Sequence, residues 1–124
     1  MSALARQGAI RTIGRGFGTR CGMEDTRKAY LVVTAVVRDP MAMVAYNRAL
    51  AASGLYARHG GRYLVRGRPV VELEAWDGRA VVVAEFPSRA AAEAFWAEPE
   101  YQERIKPLRK DAGDFHVAIF EAAQ

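Results

Sequence analysis

The sequence is poor in the residues that build disulfide bonds and metal sites, and it has no long apolar run. Its one cysteine, Cys21, excludes a disulfide within the chain and indicates a reducing compartment, so we expect a cytoplasmic protein. Its two histidines, His59 and His116, are far apart in sequence and form no recognisable metal set with Cys21. No apolar run approaches the roughly 20 residues of a membrane-spanning helix. We therefore expect no bound metal and no membrane partner.

Acidic residues are absent from residues 1–22, which hold four arginines. From Met23 onward the chain has equal numbers of basic and acidic residues, so the whole net charge of +4 lies in this first segment. A nucleic-acid-binding domain carries a basic patch on its fold. The neutral body of the chain therefore argues against nucleic acid as a partner.

Residues 1–28 differ from the rest of the chain. They are rich in glycine and arginine and show neither helical nor strand periodicity, which predicts a flexible basic N-terminal tail. Met23 offers a second translation start, which would make residues 1–22 a gene-start extension. An acid-free leader with arginines is also typical of organellar transit peptides, although hydroxyl residues are scarce here. We expect one folded domain over residues 29–124.

From residue 30 onward, apolar runs and helix-start signals alternate regularly. Asp39 followed by Pro40, and Ser88 before an alanine-rich run, are typical of helix N-termini. Asp77-Gly78 predicts a tight hairpin turn. The predicted strands cover residues 30–37, 62–76 with a bulge or bend at 67–69, 80–86 and 115–122, and the predicted helices cover 40–61, 88–98 and 99–112, the last kinked or broken at Pro107.

This order of elements, βαββαβ, predicts an α+β ferredoxin-like sandwich, a four-stranded antiparallel sheet with its helices on one face. The first strand, AYLVVTAVV, is apolar on both faces, yet two helices cover only one of them. Burying the other face is worth about 10 kcal/mol as an upper estimate. Monomers rarely leave such a patch exposed. We therefore predict a homodimer that packs sheet against sheet; the alternative is a face covered by the N-terminal tail.

Four local sequences, AYLVVTAVVRDP, YARHGGRYLVRG, VVVAEFPSRAAAEAFW and PEYQERIKPLR, resemble the domain of unknown function 1330 family in order and spacing. The resemblance covers about residues 29–122 and implies a dimeric α/β barrel with a ligand cleft between sheet and helices. It assigns no activity, although the wider superfamily includes cofactor-independent monooxygenases, lactone isomerases and haem-using enzymes. Neither histidine is suited to ligate haem, so we expect no cofactor.

Arg66 is the first candidate for ligand binding. Alternation places it opposite Val65 on a largely buried strand, where a guanidinium needs an acceptor. Glu85 on the neighbouring strand is one such acceptor, and the pair would then be a structural contact at the dimer interface. Alternatively, the planar fork of Arg66 holds the carboxylate of a small ligand.

The remaining candidates are aromatic, basic or titratable. Tyr63 and Tyr101 are predicted to lie in the core or to line the cleft, as is Trp96. Arg109 is either a partner for a carboxylate at the cleft edge or a solvated helix charge. For His59 we expect a solvated helix cap rather than a base.

Two residues are weak candidates for carrying a proton in catalysis. They are Glu85 and His116, and for His116 a satisfied core histidine is the more ordinary role. The favoured function is a small homodimer with a small-molecule cleft. The alternatives are a cofactor-independent enzyme, monooxygenase- or isomerase-like, acting on an anionic or aromatic metabolite, and a structural or regulatory dimer without a ligand.

Overall fold

The computed structural model describes residues 27–124, so the predictions made for residues 1–26 lie outside the described residues. The elements are β1 (Ala29–Val37), α1 (Pro40–Ser53), α2 (Leu55–Arg58), β2 (Arg62–Gly67), β3 (Ala80–Phe86), α3 (Arg89–Trp96), a π-helical segment (Glu100–Ile105), a 3₁₀ turn (Lys106–Arg109) and β4 (Gly113–Glu121). No helix within this part of the chain is both long and apolar enough to cross a membrane.

The four strands form one antiparallel sheet in the order β2-β3-β1-β4. Helices α1 and α3 pack on the same face of this sheet, where Leu50 and Phe95 join Leu31 of β1 in one buried cluster. The order of elements and strands confirms the predicted α+β ferredoxin-like fold. Both caps were also predicted correctly: Asp39 accepts hydrogen bonds from the first turn of α1, and Ser88 accepts one from Ala91 N.

The helix predicted over residues 40–61 is divided in two. Gly54 adopts a left-handed φ of 67°, which ends α1 at Ser53 and starts the short α2. The Ser53 hydroxyl supports this break by donating to Leu50 O and accepting from Leu55 N. α2 ends at Arg58, and Gly60, with a left-handed φ of 74°, follows its C-cap residue His59.

The second half of the predicted second strand does not form. β2 ends at Gly67, whose φ of 125° is open only to glycine, and residues 70–76 lie in a loop where Val70 and Leu73 are almost fully exposed. The bulge is also displaced from the predicted position, because the register with β3 shifts between Tyr63 and Val65. The turn at residues 77–78 does have the two positive φ angles that its sequence predicted.

The segment after α3 changes its helical type twice. Glu100–Ile105 is a π-helical segment, and the 3₁₀ turn that follows contains Pro107 at its second position. Proline has no N–H to donate to an α-helical ladder, so a continuous helix over residues 99–112 is broken there, as expected. This irregular segment carries Tyr101 and Arg109 towards the sheet.

The helix-free face of the sheet has a row of apolar side chains across its middle. Val65 of β2 pairs with Val83 of β3, and Val32 of β1 lies between Val83 and Ala118 of β4. No described element covers this face, and Val65 and Phe120 are 50% and 56% exposed. An apolar surface continuous over all four strands is unusual for a protein that acts as a monomer.

Candidate functional site

A cavity of about 360 Å³ lies between the sheet and α1. Its floor is formed by the alternate residues of β1 that face the helices, among them Val33 and Ala35, and by Val82 of β3. Met43 and Tyr46 of α1 form its roof. The volume lies in the range of small-molecule sites.

All four predicted ligand-binding residues, Tyr63, Arg66, Tyr101 and Arg109, line this cavity. Arg66 is not buried as predicted, because β2 is an edge strand that is exposed along its whole length. Its guanidinium carbon lies 4.7 Å from the centre of the Tyr63 ring, a cation–π contact at the open end of the cavity.

Arg109 is the one charged side chain that is buried among the described residues, with 7% of its surface exposed. Its guanidinium carbon lies 4.3 Å from the centre of the Phe115 ring and 5.6 Å from that of Tyr46. Within residues 27–124 its side chain makes no hydrogen bond or ion pair. The alternative of a solvated helix charge was therefore wrong. A buried guanidinium with unmatched N–H donors is costly, and it is a strong site for an anion.

Tyrosine side chains lie close to this arginine. The hydroxyls of Tyr46 and Tyr101 are hydrogen-bonded at 2.9 Å. Burial, and then the neighbouring Tyr101, raise the pKa of Tyr46 far above its usual value, and burial likewise raises the pKa of Tyr56. Both side chains therefore remain protonated at neutral pH and act as hydrogen-bonding, not charged, groups.

The charges at the cavity are of one sign. Its charged lining residues are Arg66, Arg68 and Arg109, and the lining taken from the described chain includes no aspartate, glutamate or histidine. The site thus favours anions and lacks a side chain that takes up a proton at neutral pH.

A second hollow of about 550 Å³ adjoins the cavity and shares Trp96, Arg109 and Phe115 with it. Its other charged residues are Lys106 and Lys110, so it too is positive. The Lys106 amine lies 5.1 Å from the centre of the Trp96 ring. Arg109 therefore stands in the wall between two positively charged spaces.

Glu85 lies on the opposite, helix-free face of the sheet and does not contact Arg66. Its carboxylate is 3.0 Å from Arg62, 3.5 Å from Lys28 and 3.4 Å from the Tyr30 hydroxyl. The predicted pairing with Arg66 was therefore wrong. Partial burial works to raise the pKa of Glu85, but the Arg62 hydrogen bond and the Lys28 charge together hold it below its usual value of 4.5.

We expect Glu85→Gln to reduce the loss of stability in acid. A carboxyl whose pKa is lower in the folded than in the unfolded state stabilises the fold above pH 4.5, and this contribution is lost as the pH falls through the lowered pKa. Melting temperatures of wild type, Glu85→Gln and the exposed control Glu103→Gln, measured from about pH 6 to about pH 3, check this. Equal acid slopes for all three proteins would contradict it.

Neither histidine lines the cavity. His116 is exposed on the helix-free face, where it pairs with Thr34, so the expectation of a core histidine was wrong. His59 is not a freely solvated cap: its Nε2 lies 2.6 Å from Glu98 Oε2, and the pair joins the end of α2 to the segment after α3.

Sequence reasoning missed three residues at the cavity, Tyr46, Tyr56 and Arg68. Tyr46 lies on the inward stripe of α1, where a leucine or phenylalanine would pack equally well. A buried phenol on such a stripe needs a hydrogen-bond partner, and this requirement was the one feature of the sequence that pointed to a polar site next to Tyr46. Arg68 follows the last residue of β2, and nothing in its local sequence distinguishes it from a surface arginine.

The sequence profile of a family described as Domain of unknown function (DUF1330) matches residues 28–123. The comparison with curated proteins found no match. Among solved structures, RPA0582, a protein of unknown function from Rhodopseudomonas palustris, superposes with a TM-score of 0.60 at 20% identity, over 80% of this chain and 85% of that one.

Two further structures have the same fold. A dimeric ferredoxin-like protein of unknown function from Thermobifida fusca has a TM-score of 0.58 at 15% identity, over 77% of this chain and 92% of that one. SnoaB, a cofactor-independent oxygenase from Streptomyces nogalater, has a TM-score of 0.52 at 18% identity, over 79% of this chain and 95% of that one. At these identities the likeness concerns the fold alone.

Proposed function

This chain belongs to the family of domain of unknown function DUF1330, and we propose that it binds a small molecule with an acidic group in the cavity between its sheet and α1. The supporting observation is the buried Arg109, whose guanidinium has no acceptor among the described residues. Such a group offers a carboxylate or phosphate two parallel hydrogen bonds in a site with little water.

The rest of the ligand is apolar or aromatic. The floor of the cavity consists of Val33, Ala35 and Val82, and its walls include the rings of Tyr56 and Trp96. The Tyr46–Tyr101 pair supplies hydroxyls near Arg109, so the ligand is also able to carry a hydroxyl or carbonyl near its acidic group.

A thermal-shift experiment with octanoate, benzoate and cinnamate tests this proposal. We expect at least one acid to raise the melting temperature of wild type and of Arg104→Met, an exposed control outside the cavity, but not that of Arg109→Met. Equal shifts in Arg109→Met and wild type would remove Arg109 from the site. No shift for any acid in wild type would count against an acid-binding cavity.

The cavity gives less support to a cofactor-independent enzyme. The two candidate proton carriers, Glu85 and His116, lie on the other face of the sheet, and burial raises the pKa values of the Tyr46 and Tyr56 phenols in the cavity, so both are protonated at neutral pH. A substrate there would have to ionise without a side-chain base. A structural dimer without a ligand is also less well supported, because it gives no reason for an unpaired buried arginine.

The helix-free face supports self-association. We propose a homodimer in which two copies pack this face against each other and form a dimeric α/β barrel, and we place it in the cytoplasm because the lone Cys21 suits a reducing compartment. The exposed Val65 and Phe120, together with the central Val83, supply the apolar area. A similar structure, that from Thermobifida fusca, is itself dimeric.

We expect Val65→Lys to convert the dimer into a monomer, because an ammonium buried within an apolar contact has no partner. Analytical ultracentrifugation at micromolar concentration checks this. Val44→Lys is the matched control, since Val44 is similarly exposed, at 44%, but lies on α1. A wild-type protein that sediments as a monomer, or a dimer that survives Val65→Lys, would contradict this interface.

A further inference from the structure

The cavity holds more positive charge than one acidic group neutralises. Arg66, Arg68 and Arg109 line it, and no carboxylate does so among the described residues. A cleft with charges of one sign attracts counter-ions and raises their local concentration. A ligand with a single acidic group would leave most of this charge unmatched.

Two of these arginines stack on rings that lie on opposite edges of the sheet. Arg109 stacks on Phe115, a residue of β4, while Arg66 stacks on Tyr63, a residue of β2. These are the two outer strands of the sheet, and three inter-strand spacings put their backbones about 14 Å apart. The floor between them, formed by Val33 and Val82 among others, is apolar.

We infer that the ligand is a diacid, with one acidic group at each end of an apolar or aromatic body. This inference rests on the acid-binding function proposed above. The first group binds the buried Arg109, and the second binds Arg66 at the exposed end, where Arg68 adds to the positive potential. The two ends differ in strength, because the contact at Arg66 is solvated and the contact at Arg109 is dry.

Calorimetry on matched pairs of acids tests the inference: octanoate against octanedioate, and cinnamate against para-carboxycinnamate. For wild type we expect the diacid of at least one pair to bind about five- to tenfold more tightly than its monoacid. Arg66→Met should remove this preference, because it weakens the binding of the diacid more than that of the monoacid. Arg109→Met should weaken both acids, and the charge-matched control Arg104→Met should change neither.

The failure of this inference is distinguishable from the failure of the proposed function. If monoacids bind in an Arg109-dependent way and neither diacid gains affinity, or if the gain survives Arg66→Met, the inference is overturned while the acid-binding function stands. If no acid binds in an Arg109-dependent way, both are overturned. A preference for diacids that Arg104→Met removes as fully as Arg66→Met would show only the effect of net charge, and it would also overturn the inference.

Discussion

Replacing Arg109 by methionine should make the unliganded protein more stable, by roughly 1–3 kcal/mol. The guanidinium stays charged when buried, and the described residues give it no acceptor, so its desolvation is offset only by the stacking on Phe115 and Tyr46. Methionine keeps much of the apolar stem and removes the charge. A stabilising substitution at a binding residue is the usual sign that a site is maintained at a cost to the fold.

Urea denaturation of wild type, Arg109→Met and Arg109→Lys checks this. We expect a higher midpoint for the methionine variant with an unchanged slope, and no gain for the lysine variant, which keeps a charge in the same place. A methionine variant less stable than wild type would mean that Arg109 stabilises the fold, and its assignment as a ligand anchor would lose its physical basis.

Replacing Phe95 by alanine should destabilise the protein by about 3–5 kcal/mol. The Phe95 side chain is 1% exposed, and its ring centre lies 4.4 Å from that of Tyr56, 5.5 Å from Phe86 and 5.2 Å from Tyr101. Alanine would remove apolar contacts and leave a void that three flanking rings cannot fill without moving. For a domain with a total stability of about 5–15 kcal/mol this is a large share.

Chemical denaturation measures the loss of stability in Phe95→Ala directly, and Met41→Ala is the control. Met41 is apolar but 76% exposed on α1, so its replacement should change the stability by about 0.5 kcal/mol or less. Similar losses in the two variants would indicate that the core is not organised around Phe95. Because Tyr56 and Tyr101 also line the cavity, Phe95→Ala should weaken acid binding as well.

Much of the fold was predictable because local signals agree with the tertiary structure. Asp39 and Ser88 cap the helices where the sequence places them, and the turn at residues 77–78 has the φ angles that its composition predicts. The break of the first helix was not predicted, because a glycine inside an apolar helical pattern is compatible with either continuation or a stop. The left-handed Gly54 is set by how α2 packs onto the core through Leu55.

The side of the sheet to which each β2 side chain points was not predictable, because this strand contains one extra residue relative to β3. Strict alternation puts Arg62 and Arg66 on the same side of the strand, beside Glu85. The bulge at Leu64 reverses the alternation, so that Arg62 remains with Glu85 while Arg66 joins Tyr63 at the cavity. Bulge positions depend on the partner strand and the packed core.

The order of strands and helices, the caps, and an apolar surface on both sides of β1 follow from residue type and spacing along the chain, so they were predictable without the structure. Which charged groups come into contact became clear from the folded structure alone. It buried Arg109 without a partner, and it put Arg66 at the cavity and Glu85 behind the sheet. Charge pairing depends on distances of a few ångströms between residues distant in sequence, which local patterns do not encode.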